Sequence, residues 1–318
     1  MSDNARGLIN VSVPLSNVAV KYSNDATKYI ADKILPLVSV AKQAGLHYTF
    51  GNESFRLYDD LRANGAPSSR VLSYSTGTAA YYTDTRSLHD VVTEEDRSNA
   101  DGIISPEITT TENLVDMRLV RREYDVAAAL FNTTTFSGYT AALSGTDLFD
   151  DYTNSDPIGK LSTARENVRG KIGRPANTLV IGAAVFNALK QHPDILDRIK
   201  YTQTGILTPA LLAALLDVSQ VLIGEGIYES TNQKQSSTLT DIWGKFALMC
   251  YVAQGSSPNL KKPSLGYIPQ WNLYGGGPYM TKKWYDDALS GDVIEVTSSY
   301  DIVVAAAAAG YLYSTVIA

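Results

Sequence analysis

Residues 173–225 read GRPANTLVIGAAVFNALKQHPDILDRIKYTQTGILTPALLAALLDVSQVLIGE, and the order of apolar runs in this stretch decides the fold class. The uninterrupted apolar run Thr178–Gly182 is typical of a buried strand, whereas Ala183–Lys190 has the 3,4 apolar spacing of a helix. Thr208 followed by proline predicts the start of a further helix, and Gln220–Gly224 predicts a second buried strand. The stretch therefore predicts an α/β or α+β unit.

This unit extends beyond the quoted residues on both sides and begins near Asp156. Apolar spacing from Ile158 to Val168 predicts a helix before the quoted stretch, and Lys245–Val252 predicts a strand after it. Further on, a turn at Leu289–Asp292 predicts two paired strands. The last apolar run of the chain is expected to return to the core.

A long helix is predicted upstream of this unit. Thr109 and Glu112 fit a capping box, and apolar residues then follow in 3,4 spacing as far as Phe131, which gives about five or six turns. The charges on this helix could form a catalytic or anion site, but a solvated or intersubunit salt-bridge face is much commoner. We therefore predict intersubunit contacts for four of its residues, Arg118, Arg121, Arg122 and Glu123.

Two strand-like runs, YTFGNESFRLY (48–58) and SSRVLSYSTGTAAYYTDTRS (68–87), flank the turn residues of segment 59–67 and predict a long hairpin. Strands of about eleven to fourteen residues would reach ~40 Å at ~3.3 Å per residue. A domain of about 100 residues has a radius of gyration of only ~13 Å, so the hairpin must overhang it. Because an isolated two-stranded ribbon is marginal in water, we expect this hairpin to lie on another copy of the chain.

Composition limits the remaining possibilities. A chain of 318 residues exceeds the usual size of one core, and the first 45 residues read as an extended arm with a short helix near Asp25–Leu35. The balance of 33 acidic against 27 basic residues gives no indication of nucleic-acid binding. The ratio of 20 tyrosines to 7 phenylalanines suits interfaces, and tyrosines scattered on strand surfaces explain it equally well. The single cysteine, Cys250, reads as a small buried apolar residue, and the N-terminal stretch 1–36 has no apolar run long enough to span a membrane.

The residues that usually carry catalysis are sparse. The three histidines, His47, His89 and His192, stand in unrelated segments, and we predict a structural role for each. Paired acids read as solvated loops, the glycine pairs lack the rest of a phosphate loop, and there is no G-x-S-x-G elbow. We therefore predict no enzyme activity and no cofactor or metal. A hydrolase using serine, aspartate and histidine around His192 is kept as a competing hypothesis.

The quoted stretch, followed by DIWGKFALMCYV (Asp241–Val252), closely resembles the axial domain of tailed-bacteriophage major capsid proteins with the Hong Kong 97-type fold. The preceding order of arm, hairpin and long helix, which ends REYDVAAALF (Arg122–Phe131), is similar to that family, and Gly275–Tyr313 resembles its peripheral hairpin and closing strand. The resemblance implies an α+β fold divided into an N-terminal arm (1–45), an E-loop (46–90), a peripheral domain with a long spine helix (91–155 and 276–304) and an axial domain with a mixed sheet and helices (156–275 and 305–318).

The resemblance also implies a function. It suggests a major capsid protein of the virion that self-assembles in the host cytoplasm, as hexamers and pentamers, into an icosahedral shell enclosing double-stranded DNA. Portal and scaffolding proteins would be its partners. Encapsulin shells share this fold, so a compartment that holds enzyme cargo is the alternative.

In the family the E-loop lies over the adjacent subunit, which gives the predicted hairpin a surface to cover. We expect contacts with that subunit from Arg56, Arg62, Arg70, Tyr74 and Tyr81, unless the arginines merely keep the hairpin soluble. Some members crosslink their shells through an E-loop lysine, yet residues 46–90 contain none. The resemblance therefore implies a shell held non-covalently or by an additional cementing protein.

Overall fold

Two sheets organise the chain in the computed structural model, which describes residues 10–11, 29–50, 55–62, 64, 68, 70, 76–100, 105–200, 207–231, 238–253, 264–272 and 277–318. The helices are α1 (Ala31–Ile34), α2 (Glu94–Asn99), α3 (Pro106–Leu130), α4 (Pro157–Ile172), α5 (Ala183–Gln191), α6 (Pro193–Ile199) and α7 (Pro209–Leu215). The strands are β1 (Asn10–Val11), β2 (Leu37–Val40), β3 (Ala44–Phe50), β4 (Thr76–Tyr82), β5 (Asp84–Thr93), β6 (Thr140–Ala142), β7 (Thr178–Gly182), β8 (Gln220–Gly224), β9 (Ile227–Glu229), β10 (Leu239–Asp241), β11 (Ala247–Cys250), β12 (Ile268–Trp271), β13 (Met280–Asp286), β14 (Gly291–Tyr300) and β15 (Gly310–Ser314).

The six-stranded sheet is built around β14. Antiparallel β13 lies on one side of β14 and carries β1 on its outer edge, while β5 pairs with β14 on the other side along all its length. At the end of β14, β12 continues the sheet and pairs in parallel with β2. The prediction of two strands paired around the turn at 289–292 is confirmed, whereas residues 84–90, which the sequence analysis included in the E-loop, belong to a strand of this sheet.

The five-stranded sheet has the order β6-β15-β11-β7-β8. The parallel pair β7 and β8 matches the two buried strands predicted from the sequence residue for residue. The strand predicted at Lys245–Val252 is present as β11, where Cys250 is buried, and burial raises the pKa of its thiol to about 12. The last apolar run returns to the core as β15, which lies between β6 and β11, so that expectation is also confirmed.

The N-cap residue of the long helix α3 lies four residues before the one predicted from the sequence. Ser105 is the N-cap residue and Pro106 occupies the first helical position, where its missing N–H costs nothing. The predicted capping box at Thr109 is therefore wrong, because the Thr109 hydroxyl bonds back to the Ser105 carbonyl inside the helix. Among the described helices, none is long and apolar enough to cross a membrane.

The described part of the N-terminal arm is anchored in the core. Tyr29, Ile30 and Ala31 are buried, as are Ile34 and Leu35, which lie beside the C-terminal half of α3. The helix expected near Asp25–Leu35 is present only as the four residues of α1, and residues 25–28 lie outside the described range. The arm therefore contributes apolar side chains to the core, although the sequence analysis read it as an extension.

Candidate intersubunit surfaces

The hairpin consists of β3 and β4, which pair antiparallel from Ala44 opposite Tyr82 to Phe50 opposite Thr76. Each strand has seven residues in the described part of the chain, which corresponds to ~23 Å. Of the run predicted as a strand at 48–58, residues 48–50 belong to β3, residues 55–58 are not in a strand, and residues 51–54 lie outside the described residues. In the described segment Phe55–Arg62, the Asp59 carboxylate accepts a hydrogen bond from the Leu61 N–H at 3.1 Å, a local turn that competes with strand pairing.

The segment Phe55–Arg62 exposes apolar side chains. Leu57 is fully exposed, Leu61 is 87 % exposed and Phe55 is 60 % exposed. The Phe55 ring lies against Gly173, the left-handed residue that ends α4, and a Cβ at that glycine would lie 2.7 Å from the ring. This segment therefore touches its own chain at Phe55 and leaves both leucines uncovered. Exposed apolar side chains grouped in this way form a candidate interaction surface.

The predicted E-loop contact residues lie in different settings. Arg56, Arg62 and Arg70 are exposed, so their side chains are available to a neighbouring molecule. Tyr81 is half-buried and lies over Gly45 of the paired strand, where an added Cβ would approach its hydroxyl to 2.5 Å. Tyr74 lies outside the described residues. Contacts with another subunit stay a prediction for these residues.

Hydrogen bonds at Thr83, the one residue between β4 and β5, attach the base of the hairpin to the six-stranded sheet. Thr83 is fully buried, and its N–H donates to the Gln43 carbonyl at 2.9 Å. In return the Gln43 side chain and the Ser299 hydroxyl donate to the Thr83 carbonyl at 3.0 and 3.3 Å. The Asp301 carboxylate accepts from the Tyr82 N–H at 3.2 Å. The direction in which the hairpin leaves the subunit is therefore fixed by hydrogen bonds.

We expect the double variant Gln43→Ala, Asp301→Ala to loosen the hairpin without unfolding the sheet. Each lost hydrogen bond contributes about 1 kcal/mol, so amide exchange in β3 and β4 should accelerate roughly tenfold or more while exchange in β14 stays unchanged. Hydrogen exchange followed by mass spectrometry measures both regions. Asn272→Ala, which removes an amide bonded to Ser39 on β2, is the matched control, and equal acceleration in all strands would contradict the prediction.

Three of the four predicted contact residues on α3 point into the subunit. Arg118 donates to the Ser298 hydroxyl at 2.6 Å, and Arg122 donates to the Tyr279 hydroxyl at 3.0 Å and to Asp32 at 2.5 Å. Glu123 is 1 % exposed. These burials argue against an intersubunit role, because the arm and the six-stranded sheet already cover the three side chains.

Arg121, the fourth of these residues, is the exposed one. Its Nε lies 2.9 Å from the Asp125 carboxylate one turn further along α3, and its guanidinium lies over the Tyr124 ring. The Arg121 side chain is 58 % exposed, whereas that of Asp125 is 11 % exposed, so the solvent-facing side of the guanidinium is available to another molecule. The prediction of an intersubunit contact therefore stays with Arg121 alone in this group.

The Glu123 carboxylate joins three parts of the chain. It accepts hydrogen bonds from the Ile30 and Ala31 N–H groups at 3.0 and 2.9 Å, at the start of α1, and from the Trp243 indole at 2.6 Å. Burial raises the pKa of Glu123, while the three donors act in the opposite direction by stabilising the charged form. The arm, α3 and the loop before β11 therefore meet at one carboxylate. Sequence reasoning marked Glu123 as a charged residue but missed this role.

His192, the residue of the hydrolase hypothesis, has the geometry of a helix cap. Its Nδ1 accepts from the Asp194 N–H at 3.3 Å, so the ring proton belongs on Nε2, which lies 3.0 Å from the Ser155 hydroxyl. Ser155 donates its own proton to the Asp151 carbonyl at 2.8 Å. A serine nucleophile needs the reverse arrangement, in which histidine accepts the hydroxyl proton. This geometry favours the structural reading of both residues.

The other two histidines lie apart from His192. His47 is buried on β3 with its ring edge-on to Tyr267, and His89 is exposed on β5 opposite Glu295 of β14. Within the described residues, no group of three or more histidine, cysteine, aspartate or glutamate side chains is arranged to hold a metal ion.

Comparison with known proteins finds relatives along nearly the whole chain. The chain is 32 % identical over 290 residues to the major capsid protein of Burkholderia phage BcepMu, covering 90 % of each protein. It is 27 % identical over 226 residues to the major capsid protein of Pseudomonas phage JBD67, covering 70 % of this chain and 71 % of that protein. No protein-family model matches the sequence.

Solved structures show the same architecture. A phage-related protein from Bordetella bronchiseptica superposes with a TM-score of 0.77 at 25 % identity, over 97 % of this chain and 98 % of that one. The capsid of cyanophage P-SCSP1u gives a TM-score of 0.60 at 10 % identity, over 90 % and 87 % of the two chains. The SrpI encapsulin from Synechococcus elongatus gives 0.56 at 9 % identity, over 92 % and 89 %. The last two similarities concern the fold alone.

These similarities, with the two sheets and the long helix, define an α+β protein with the Hong Kong 97-type capsid fold. The identity to a phage protein over nine tenths of both sequences is more specific than the fold. The chain belongs to the family of bacteriophage major capsid proteins.

Proposed function

We propose that the chain self-assembles as hexamers and pentamers into an icosahedral shell that encloses double-stranded DNA. The observation that carries this proposal is the uncovered segment Phe55–Arg62 in a member of the major capsid protein family. Leu57 and Leu61 are exposed in the single chain, and a neighbouring subunit would remove them from water. Because that burial is available only between copies, association is favoured over the single chain.

The division of the subunit into domains follows the family resemblance. We assign residues 1–45 to the arm, 46–90 to the E-loop, 91–155 with 276–304 to the peripheral domain, and 156–275 with 305–318 to the axial domain. The six-stranded sheet with α3 and the five-stranded sheet with α4 support a separation of this kind. We assign intersubunit contacts to predicted residues whose side chains are exposed or half-buried and to Tyr74, which lies outside the described residues. The exposed or half-buried residues are Arg56, Arg62, Arg70, Tyr81 and Arg121.

The charge of the chain suits a container better than a DNA-binding protein. Its formal net charge is −6, and strong neutralisation of phosphates would need an excess of lysine and arginine. We propose that DNA is enclosed without sequence-specific contacts. Scaffolding and portal proteins would guide assembly in the host cytoplasm, and a cementing protein would strengthen a shell whose E-loop has no lysine for crosslinking.

Electron microscopy of the purified protein, combined with analytical ultracentrifugation, tests the proposal. We expect closed shells or capsomers when the protein is expressed alone or with the scaffolding and portal genes that accompany it. DNA inside particles with a portal vertex would support the phage shell, whereas shells filled with one enzyme and lacking a portal would support the encapsulin alternative. A protein that stays monomeric under all these conditions would contradict both.

A further inference from the structure

Strand β5 forms a long edge of the six-stranded sheet as the described residues build it. Its ten residues pair with β14 in one uninterrupted register, from Thr93 opposite Gly291 to Asp84 opposite Tyr300. No strand in the described part of the chain pairs with the other edge. Proteins usually protect such edges with short length, a bulge or a proline, and β5 has none of the three. A regular edge of this length is a template for a further strand.

The side chains of β5 are complementary to a second copy of the same strand. Arg86, Leu88 and Asp90 lie on one face, because alternate residues of a strand share a face. When two copies of β5 run antiparallel with Leu88 opposite Leu88, each Arg86 lies directly opposite Asp90 of the other copy. Opposite charges facing each other across strands stabilise the pair, so these charges favour self-pairing. Leu88 is 37 % exposed, and it would be covered at the centre.

The surroundings of Arg86 favour an additional carboxylate. The Asp125 carboxylate already accepts two guanidinium groups, from Arg86 and Arg121. Nearby Arg118 is in no ion pair within the described residues, its Nε has no hydrogen-bond partner, and burial lowers its pKa. Two guanidinium groups therefore share one carboxylate, and a third arginine lies nearby without an ion pair in the described part of the chain. Asp90 of a second copy would add the missing negative charge beside Arg86.

We propose that β5 pairs antiparallel with β5 of a second copy across a two-fold axis at Leu88, which joins two six-stranded sheets into one. The contact is isologous, since Arg86 of each copy meets Asp90 of the other. The inference deepens the proposed function, because it names one of the contacts between copies on which a shell depends.

The substitution Leu88→Cys tests this register directly. Opposed residues of paired strands have Cβ atoms about 4.5–5.5 Å apart, close enough for a disulfide after small adjustments. We expect most of the assembled protein to form covalent dimers under mild oxidation. Cys250 is buried and should not react. Thr85→Cys is the matched control on the same strand, since the two copies of residue 85 would be about 20 Å apart and should stay reduced.

A second pair of variants tests the same register without changing Leu88, in case the Leu88→Cys substitution itself disturbs the strand. In the proposed register Ser87 lies opposite His89 of the other copy, so mixed Ser87→Cys and His89→Cys proteins should crosslink more than either protein alone. If shells form but neither Leu88→Cys nor the mixture crosslinks above the Thr85→Cys level, the β5 contact is overturned and the shell stands. If the dimers form and no shell is found, the contact stands and the shell proposal falls.

Discussion

Replacing Leu57 and Leu61 together with aspartate is expected to abolish shell formation while the subunit stays folded. Both leucines are exposed in the single chain, so the change removes no intramolecular packing and should alter the free energy of unfolding by only about 0.5 kcal/mol or less. In a shell, two carboxylates would be forced against the neighbouring subunit without partners, which costs several kcal/mol at each of many equivalent contacts. Ultracentrifugation and electron microscopy measure assembly, and thermal unfolding reports the fold.

The control for this prediction keeps the apolar character of the same positions. Leu57→Met with Leu61→Met retains flexible apolar side chains of similar volume and should assemble as the unmodified chain does. Shells of normal size and yield from the aspartate variant would show that the segment Phe55–Arg62 is not an intersubunit surface. The shell would then depend on other contacts.

The substitution Glu123→Ala should destabilise the subunit by about 3–5 kcal/mol. It leaves the N–H groups of Ile30 and Ala31 and the indole of Trp243 buried without their acceptor, and each such loss costs about 1–3 kcal/mol. Desolvation of the carboxylate, which raises its pKa, offsets part of that sum when the charge is removed. Urea unfolding of the unassembled subunit measures the change.

Glu112→Ala on the same helix provides the comparison for Glu123. Glu112 is half-exposed, so its removal should change the free energy of unfolding by less than about 1 kcal/mol. Equal effects of the two substitutions would show that the three hydrogen bonds at Glu123 contribute nothing beyond the loss of a helical glutamate. A large loss in the free energy of unfolding for Glu123→Ala alone would show that the hydrogen bonds joining the arm, α3 and Trp243 stabilise the subunit.

Much of the five-stranded sheet could be predicted from the sequence because its central strands are buried on both faces. Thr178–Gly182 and Gln220–Gly224 are continuous apolar runs bounded by turn and cap residues, so pattern and structure agree. The turn at 289–292 was equally readable, since polar and glycine residues separate two strand-like runs. In each case local chemistry and tertiary packing favour the same conformation.

The irregular conformation of residues 55–58 and the role of the α3 charges could not be predicted in this way. Alternating residues continue past Phe50, but the Asp59 side chain supplies a local partner for the backbone and strand pairing has ended before it. On α3, the spacing of Arg122 and Glu123 does not reveal that Asp32 and the N–H groups of α1 cover them. Those partners lie about ninety residues away in sequence, beyond the reach of any periodic pattern.

The single residue Thr83 between β4 and β5 also decides how the subunit carries a mechanical load. Tension applied to the hairpin by a neighbour, for example when packaged contents press outward, passes through Thr83 straight along β5. Because β5 is bonded to β14 over ten consecutive residues, this force acts in shear and loads the whole ladder at once. Strands loaded in shear separate less easily than strands peeled apart one bond at a time, so a hairpin held by a neighbouring subunit, as we propose, would pass tension to the whole ladder.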